Sequence, residues 1–363
     1  MRVVITGGGT GGHLFPALAT HEALRRRRPD AEVLFVGATR GVEATILPRQ
    51  GHAFRGLEVS RMMGAGPLAR LRTAAALPAV IREAGTLLRD FRPSVVLGVG
   101  GYASVPTVVA ARLRKLPIVL HEQNAYPGLA NRWLGRWATA VAVAFPAGAG
   151  RFPAGRVHVT GNPVRPSITP GDAGEARARL GLAADRFTAL VFGGSQGAHR
   201  LNVALREALP ALVAGGRRLQ FLHASGPRDL EEVRTAYATY RVPARVEPFL
   251  EDMAAAYRAA DFVVCRAGAG TIFELAAMGK PGLLVPYPYA ANDHQRLNAE
   301  ALVAAGGAWL LLDQYCDGRR LTASLEAAYD KPEQLRGMGE KARALARPDA
   351  ADRIVDLLEA AAR

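Results

Sequence analysis

Four glycine-rich turns carry the residues of this chain best suited to chemistry: GGGTGGH at 7–13, GVGGYAS at 98–104, GGSQGAH at 193–199 and RAGAGT at 266–271. Each follows a short apolar run and precedes a helix-like pattern. Glycine lets the backbone take positive φ and lets amide N–H groups approach an anion with no Cβ in the way. A helix N-terminus behind the turn adds unpaired N–H groups and about half a positive charge. Phosphate is the natural ligand of such turns. One of them alone is as often a tight strand-to-helix connection, but four in one chain favour a ligand.

Glycines 7, 9 and 12 satisfy G-x-G-x-x-G and raise the dinucleotide reading. That reading needs an acid about 20 residues on, at the end of the second strand, to hold ribose hydroxyls. The second strand ends LFVGATR, with no Asp or Glu until Glu43, and no Walker lysine is present. His13 stands where a helix begins, and the N-terminal dipole there favours the neutral imidazole that a general base needs.

The passage CRAGAGTIFELAAMGKPGLLVPYP (265–288) places Glu274 in the first turn of a helix expected to start near Thr271, where its carboxylate could accept both hydroxyls of a ribose. Upstream, EPFLEDMAAAY (247–257) offers an apolar bend at Phe249 and Leu250, then a capped helix. The bend suits a flat base. NDHQRLNA (292–299) sets Asp293, His294, Gln295 and Asn298 on or near one helical turn, and Gln can both donate to and accept from sugar hydroxyls. There is no D-x-D pair and no His/Asp/Glu cluster at metal-ligand spacing. Helix dipoles, loop amides and Arg165 would then stabilise departing phosphates.

Elements that position these residues are legible as alternating strands and helices. Strands are predicted at 3–6, 33–37, 95–99, 118–121 and 140–144, and again at 188–192, 219–223, 262–265, 282–285 and 309–312. A helical pattern covers 16–28 and ends in a basic turn that complements the helix dipole. The stretch TGNPVRPSITPGDAG (160–174) reads as a linker. The fold class is therefore α/β: two Rossmann-like, doubly wound parallel-sheet domains facing a cleft, with ligands at the carboxyl ends of the strands. The expected divisions are 1–160, a linker at 161–174, 175–345, and a C-terminal helix at 346–363 that packs back on the first domain.

At 363 residues the chain accommodates two domains with their own cores. Cys265 and Cys316 make no disulfide framework, which suits a reducing cytoplasm. No secretory signal is read at the start, and the longest uncharged stretch, 94–111, is broken by glycines and Pro106. Residues 1–160 hold 21 Lys+Arg against 8 Asp+Glu, whereas the remainder is nearly balanced. A basic first half points to an extended anionic partner, nucleic acid or a membrane surface. Nucleic acid is disfavoured, because no aromatic stacking run or recognition motif accompanies the arginines. The segment 67–92 mixes apolar residues and arginines and could lie on an anionic bilayer or pack on a core with a solvated basic side.

Seven motifs then occur in a familiar order: GGGTGGHLFPALA, GVGGYASVP, HEQNAYPGLANRWL, TGNPVR, FGGSQGAHRLN, FLEDMAAAYRAADFVVCRAGAGTIFELAAMGKP and NDHQRLNA. Over nearly its whole length the chain resembles the MurG-type N-acetylglucosaminyltransferases of bacterial peptidoglycan synthesis. The resemblance implies a GT-B architecture with an N-terminal acceptor and membrane-facing domain and a C-terminal UDP-sugar domain. It implies inverting transfer of N-acetylglucosamine from UDP-N-acetylglucosamine to the C4 hydroxyl of the muramyl sugar of lipid I, an undecaprenyl-diphosphate-linked muramyl pentapeptide. The products are lipid II and UDP, no metal or other cofactor is implied, and the enzyme works peripherally at the cytoplasmic face of the membrane. Another UDP-sugar transferase of this fold with a lipid acceptor, such as diacylglycerol, is the alternative; an epimerase of related fold would not account for all seven motifs.

Carried over by motif position, Leu250 lies against uracil, Glu274 holds the ribose, and Ser195 and Arg165 contact the diphosphate. Ala269, Gly270, Thr271, Ile272 and Phe273 form the loop around nucleotide and sugar, with Gly270 standing where relatives often carry a larger apolar residue. Gln295 reads the sugar hydroxyls. Thr10, Gly11, Gly12 and Asn124 reach the donor sugar and the reaction centre. His13 is the base candidate, with Tyr102, His121 and Glu122 as helpers.

Overall fold

The structure, a computed structural model, describes residues 1–59, 67–194 and 196–363, and the side chains of the helix Pro67–Phe91 from residue 75 on. Ser195 lies outside the described residues. The chain forms two compact units: Met1–Arg165 together with Arg347–Arg363, and Pro166–Ala346.

The first unit is built on seven strands: β1 (Arg2–Thr6), β2 (Glu32–Ala38), β3 (Phe54–Leu57), β4 (Val95–Gly98), β5 (Ile118–Glu122), β6 (Ala140–Val143) and β7 (Val157–Val159). Their order is β3-β2-β1-β4-β5-β6-β7, and every pairing is parallel. The second unit contains β8 (Phe187–Phe192), β9 (Leu219–Ala224), β10 (Ala244–Glu247), β11 (Phe262–Cys265), β12 (Gly282–Leu284) and β13 (Ala308–Leu310), in the order β10-β9-β8-β11-β12-β13, again all parallel. Both sheets are doubly wound. The order reverses between β1 and β4 in one and between β8 and β11 in the other.

Such a reversal opens a crevice at the carboxyl ends of the two strands concerned. The turns that leave β1 and β4 are GGGTGGH and GVGGYAS, and those that leave β8 and β11 are GGSQGAH and RAGAGT. The four glycine turns are thus two pairs, one at each reversal.

Parallel strands buried on both faces read as continuous apolar runs. All the strands read from the sequence are present, with ends displaced by no more than two residues. The three that were not read, β3 (FRGL), β7 (VHV) and β10 (ARVE), lie at sheet edges and are partly exposed. On one face of the first sheet Val3, Ile5, Leu97 and Val119 pack against the helix Gly11–Arg27 and the final helix Ala350–Ala361, whose Ile354, Val355 and Leu358 are fully buried. Burying side chains of this size contributes about 1.5–3 kcal/mol each. Arg26, Arg27 and Arg28 bind Asp352, Asp356 and Glu359 along the same helix pair.

The helix Pro67–Phe91 lies on the opposite face, where it buries Val80, Ala84 and Leu88 at four-residue spacing and exposes Arg82 and Arg89. Its described part therefore packs on the core with a solvated basic side. The segment expected to link the domains crosses from one unit to the other after Arg165, and the next helix starts at Ala173, capped by Asp172 through the Glu175 N–H.

Candidate active site

In the first unit the turn after β1 is held entirely from within. The Gly7 N–H donates to Val36 O, Gly8 N–H to Gly100 O, and Gly9 N–H to the Glu43 carboxylate at 2.8 Å. The hydrogens of these three amides are thus committed within the unit. Donors remain at the start of the helix Gly11–Arg27. Thr10 occupies the N-cap position, yet its hydroxyl makes no capping bond. It pairs instead with His13 Nδ1 at 2.9 Å. A Cβ at Gly100 would lie 3.4 Å from His13 Nε2, and one at Gly9 would lie 3.0 Å from the Tyr102 ring. Thr10, Gly11, Gly12, His13 and Tyr102 therefore come together where β1 and β4 end.

Glu122, at the end of β5, is buried. Its Oε1 accepts from the backbone and side-chain nitrogens of Asn124, and its Oε2 accepts from Gly128 N and Asn131 Nδ2. Burial raises its pKa above the usual carboxylate value, and these donors oppose the rise. With both oxygens occupied, the carboxylate shapes the loop that presents Asn124. His121 beside it is held neutral, its pKa lowered to about 3 chiefly by burial. Arg165 closes the first unit with its guanidinium carbon 4.6 Å from the centre of the Phe15 ring.

In the second unit the turn after β11 is pinned from several sides. Gln295 Oε1 accepts from both Ala267 N and Tyr287 N, and Asn298 Nδ2 donates to Ala267 O. Arg266, nearly buried, donates to Val285 O, Pro286 O and Asp313. Two backbone donors fix the amide orientation of Gln295. Its oxygen is spent, and what it can still offer a ligand is the Nε2 donor pair, not the two-way pairing expected from the sequence.

The helix after this turn runs Ala269–Met278 and begins two residues earlier than expected. Two sequence-based expectations change as a result. Residues 269–273 are helical, with Ala269, Ile272 and Phe273 buried and Gly270 and Thr271 partly exposed. Glu274 falls in the second turn, past the reach of the dipole's first turn. Its position comes from a side chain that sequence reasoning missed: the fully buried Tyr257 donates its hydroxyl to Glu274 Oε2 at 2.9 Å. Leu250 is buried while Phe249 is half exposed, and Asp252 caps the following helix Met253–Ala259 through Ala255 N. Among the described residues no cluster of His, Cys, Asp and Glu is arranged to hold a metal ion.

Residues 3–143 match the glycosyltransferase family 28 N-terminal domain, and residues 188–354 match the glycosyltransferase family 28 C-terminal domain. The UDP-N-acetylglucosamine–N-acetylmuramyl-(pentapeptide) pyrophosphoryl-undecaprenol N-acetylglucosamine transferase of Geobacter sulfurreducens is 43% identical over 364 residues, covering 100% of this chain and 99% of its own. The transferase of the same name from Geobacter sp. strain M21 is 45% identical over 355 residues, covering 98% and 95%. The crystal structure of Acinetobacter baumannii MurG superposes with a TM-score of 0.76 at 32% identity, over 99% of each chain. A UDP-N-acetylglucosamine 2-epimerase from Neisseria meningitidis, with a TM-score of 0.68 at 15% identity over 99% of both chains, shares the fold alone. Two doubly wound parallel sheets with paired glycine turns, matched along their length in this way, define a glycosyltransferase of the GT-B class. Within that class the chain belongs to family 28 and to its MurG branch.

Proposed function

We propose that this protein transfers N-acetylglucosamine from UDP-N-acetylglucosamine to the C4 hydroxyl of the muramyl sugar of lipid I, releasing UDP and lipid II with inversion at the anomeric carbon. The observation that carries this reading is the end-to-end likeness to transferases of that name.

His13 Nε2 takes the proton of the acceptor hydroxyl. The oxygen then forms a bond to the anomeric carbon on the face opposite UDP, and the bond from that carbon to the diphosphate oxygen breaks with its electron pair leaving on UDP. The Thr10 hydroxyl at Nδ1 supports this role, since a partner there fixes the orientation of the imidazole. Donor binding rests on the second unit: Leu250 against the base, Glu274 on the ribose, and Ser195 with Ala269, Gly270 and Thr271 around the phosphates. Ile272 and Phe273 act by packing that helix start. Gln295 donates from Nε2 to a sugar hydroxyl. Arg165 and the N–H groups at the start of helix Ala269–Met278 take up charge on the departing diphosphate, with no metal in the step. Gly11, Gly12, Tyr102 and Asn124 surround the reacting sugar, and Glu122 orients Asn124.

The acceptor's lipid tail requires an approach to a bilayer, and no described helix is long and apolar enough to cross one. Peripheral attachment at the cytoplasmic face fits the basic first unit. Its exposed Leu113 sits among Arg112, Arg114 and Lys115, and exposed Leu129 and Trp133 sit beside Arg132 and Arg136. Each basic residue near an anionic surface adds about 1 kcal/mol.

The test supplies UDP-N-acetylglucosamine and a short-chain lipid I analogue and follows UDP release. Acceptor-dependent release is expected. Its absence, or turnover with UDP-glucose and diacylglycerol instead, overturns the reading.

A further inference from the structure

Glu43 opens the helix Glu43–Arg49 just past β2 and is 1% exposed. Its Oε1 accepts from Ala38 N at 3.0 Å and its Oε2 from Gly9 N at 2.8 Å. A Cβ at Gly8 would come within 2.3 Å of Glu43 side-chain atoms, at Gly37 within 2.8 Å and at Gly41 within 2.2 Å. Three glycines thus leave space for one carboxylate, which accounts for Gly8, Gly37 and Gly41 without a ligand.

Glycine loses more conformational freedom on ordering than any other residue. A turn that begins Gly7-Gly8-Gly9 has no stiffness of its own, so its shape must be imposed from outside. Val36 and Gly100 hold the first two amides, and Glu43 holds the third, immediately before Thr10 and four residues before His13. Gly9 also bears against the Tyr102 ring.

We propose that Glu43 is a positioning residue for sugar transfer, fixing Gly9 and through it the Thr10–His13 pair. The proposal rests on His13 being the base. It requires a carboxylate, since two N–H donors need two acceptors; a carboxamide has one oxygen and turns its NH₂ against the other donor. Displacement of a reacting group by about 1 Å can reduce turnover ~10²-fold.

The test compares Glu43→Gln, His13→Ala and the double variant in kcat, KM, UDP affinity and amide hydrogen exchange. Glu43→Gln is expected to lower kcat ~10–10²-fold, to leave UDP affinity within about twofold, and to speed exchange in residues 7–12 selectively. Added to His13→Ala, it should lower kcat no further, because the group being positioned is gone. Near-normal kcat in Glu43→Gln overturns the proposal, as does loss of protection throughout the first unit or a full multiplicative loss in the double variant. Normal turnover in His13→Ala overturns the base assignment instead. A selective kcat loss in Glu43→Gln would then still support Glu43 as the holder of this loop.

Discussion

Tyr257→Phe should weaken UDP binding although Tyr257 is fully buried and no ligand contact is assigned to it. Its hydroxyl donates to Glu274 Oε2 at 2.9 Å, and its ring meets Phe192 edge-on with centroids 6.0 Å apart. Removing the hydroxyl keeps the ring packing and creates no sizeable cavity, so the melting temperature should hardly move. Glu274 loses a hydrogen bond of the kind worth roughly 1.5–3 kcal/mol when a charged group is involved. The glutamate is partly exposed, so water replaces some of that, and it must be re-ordered by the ligand at the expense of freed rotamers. A net loss of about 1–1.5 kcal/mol corresponds to ~5–12-fold in Kd. Titration calorimetry with UDP on Tyr257→Phe, Glu274→Ala and the parent reads this directly, and kcat at saturating donor should be nearly unchanged. If Tyr257→Phe binds UDP like the parent while Glu274→Ala binds poorly, the hydroxyl does not hold the carboxylate for its ligand. If both bind normally, the ribose role of Glu274 is wrong as well.

Thr10→Val should lower kcat ~10-fold, with Thr10→Ser restoring most of it, because the hydroxyl serves His13 and not the helix cap. Little change in melting temperature is expected; a loss of about 1 kcal/mol would instead indicate a capping role. His121 and His223, one in each unit, are held neutral with pKa values lowered to about 3 from 6.5, mainly by burial. Below pH 6.5 the unfolded chain binds protons that the folded chain does not, so stability is full above 6.5 and falls as pH drops toward 3. The slope is up to about 1.4 kcal/mol per pH unit for each histidine, and equal melting temperatures at pH 7 and pH 5 would refute it. Gly270→Ala should stabilise the second unit by about 0.4–1 kcal/mol in urea titration, since its Cβ would meet nothing within 4 Å and its φ is not positive.

Interior strands such as VVLG and FVVC were legible because each is an uninterrupted apolar run, while the edge strands FRGL, VHV and ARVE interleave polar residues and carry no such signal. The glycine turns were legible for a similarly local reason. Their supports were not: Glu43 is 34 positions from Gly9, and Tyr257 is 17 from Glu274. Pairings of that kind depend on which strands become neighbours. Glu43 was visible only as the first acid beyond β2, and the two glycines just before it at 37 and 41 were the available hint. The start of helix Ala269–Met278 was misjudged because small residues carry weak helix-boundary signals, and that two-residue shift alone moved Glu274 out of the first turn.

The final helix belongs to the core of the first unit, yet the whole second unit is threaded before it. During synthesis the strands of the first unit leave the ribosome with the surface meant for Ile354, Val355 and Leu358 still bare. Roughly 180 residues must follow, which at ~5–20 residues per second takes on the order of 10–40 s. The second unit, continuous in sequence, can finish folding while the first still waits. An interrupted or truncated chain therefore exposes a sticky apolar trough on the first unit while the second is already folded, and nascent-chain quality control would meet this protein first at that trough.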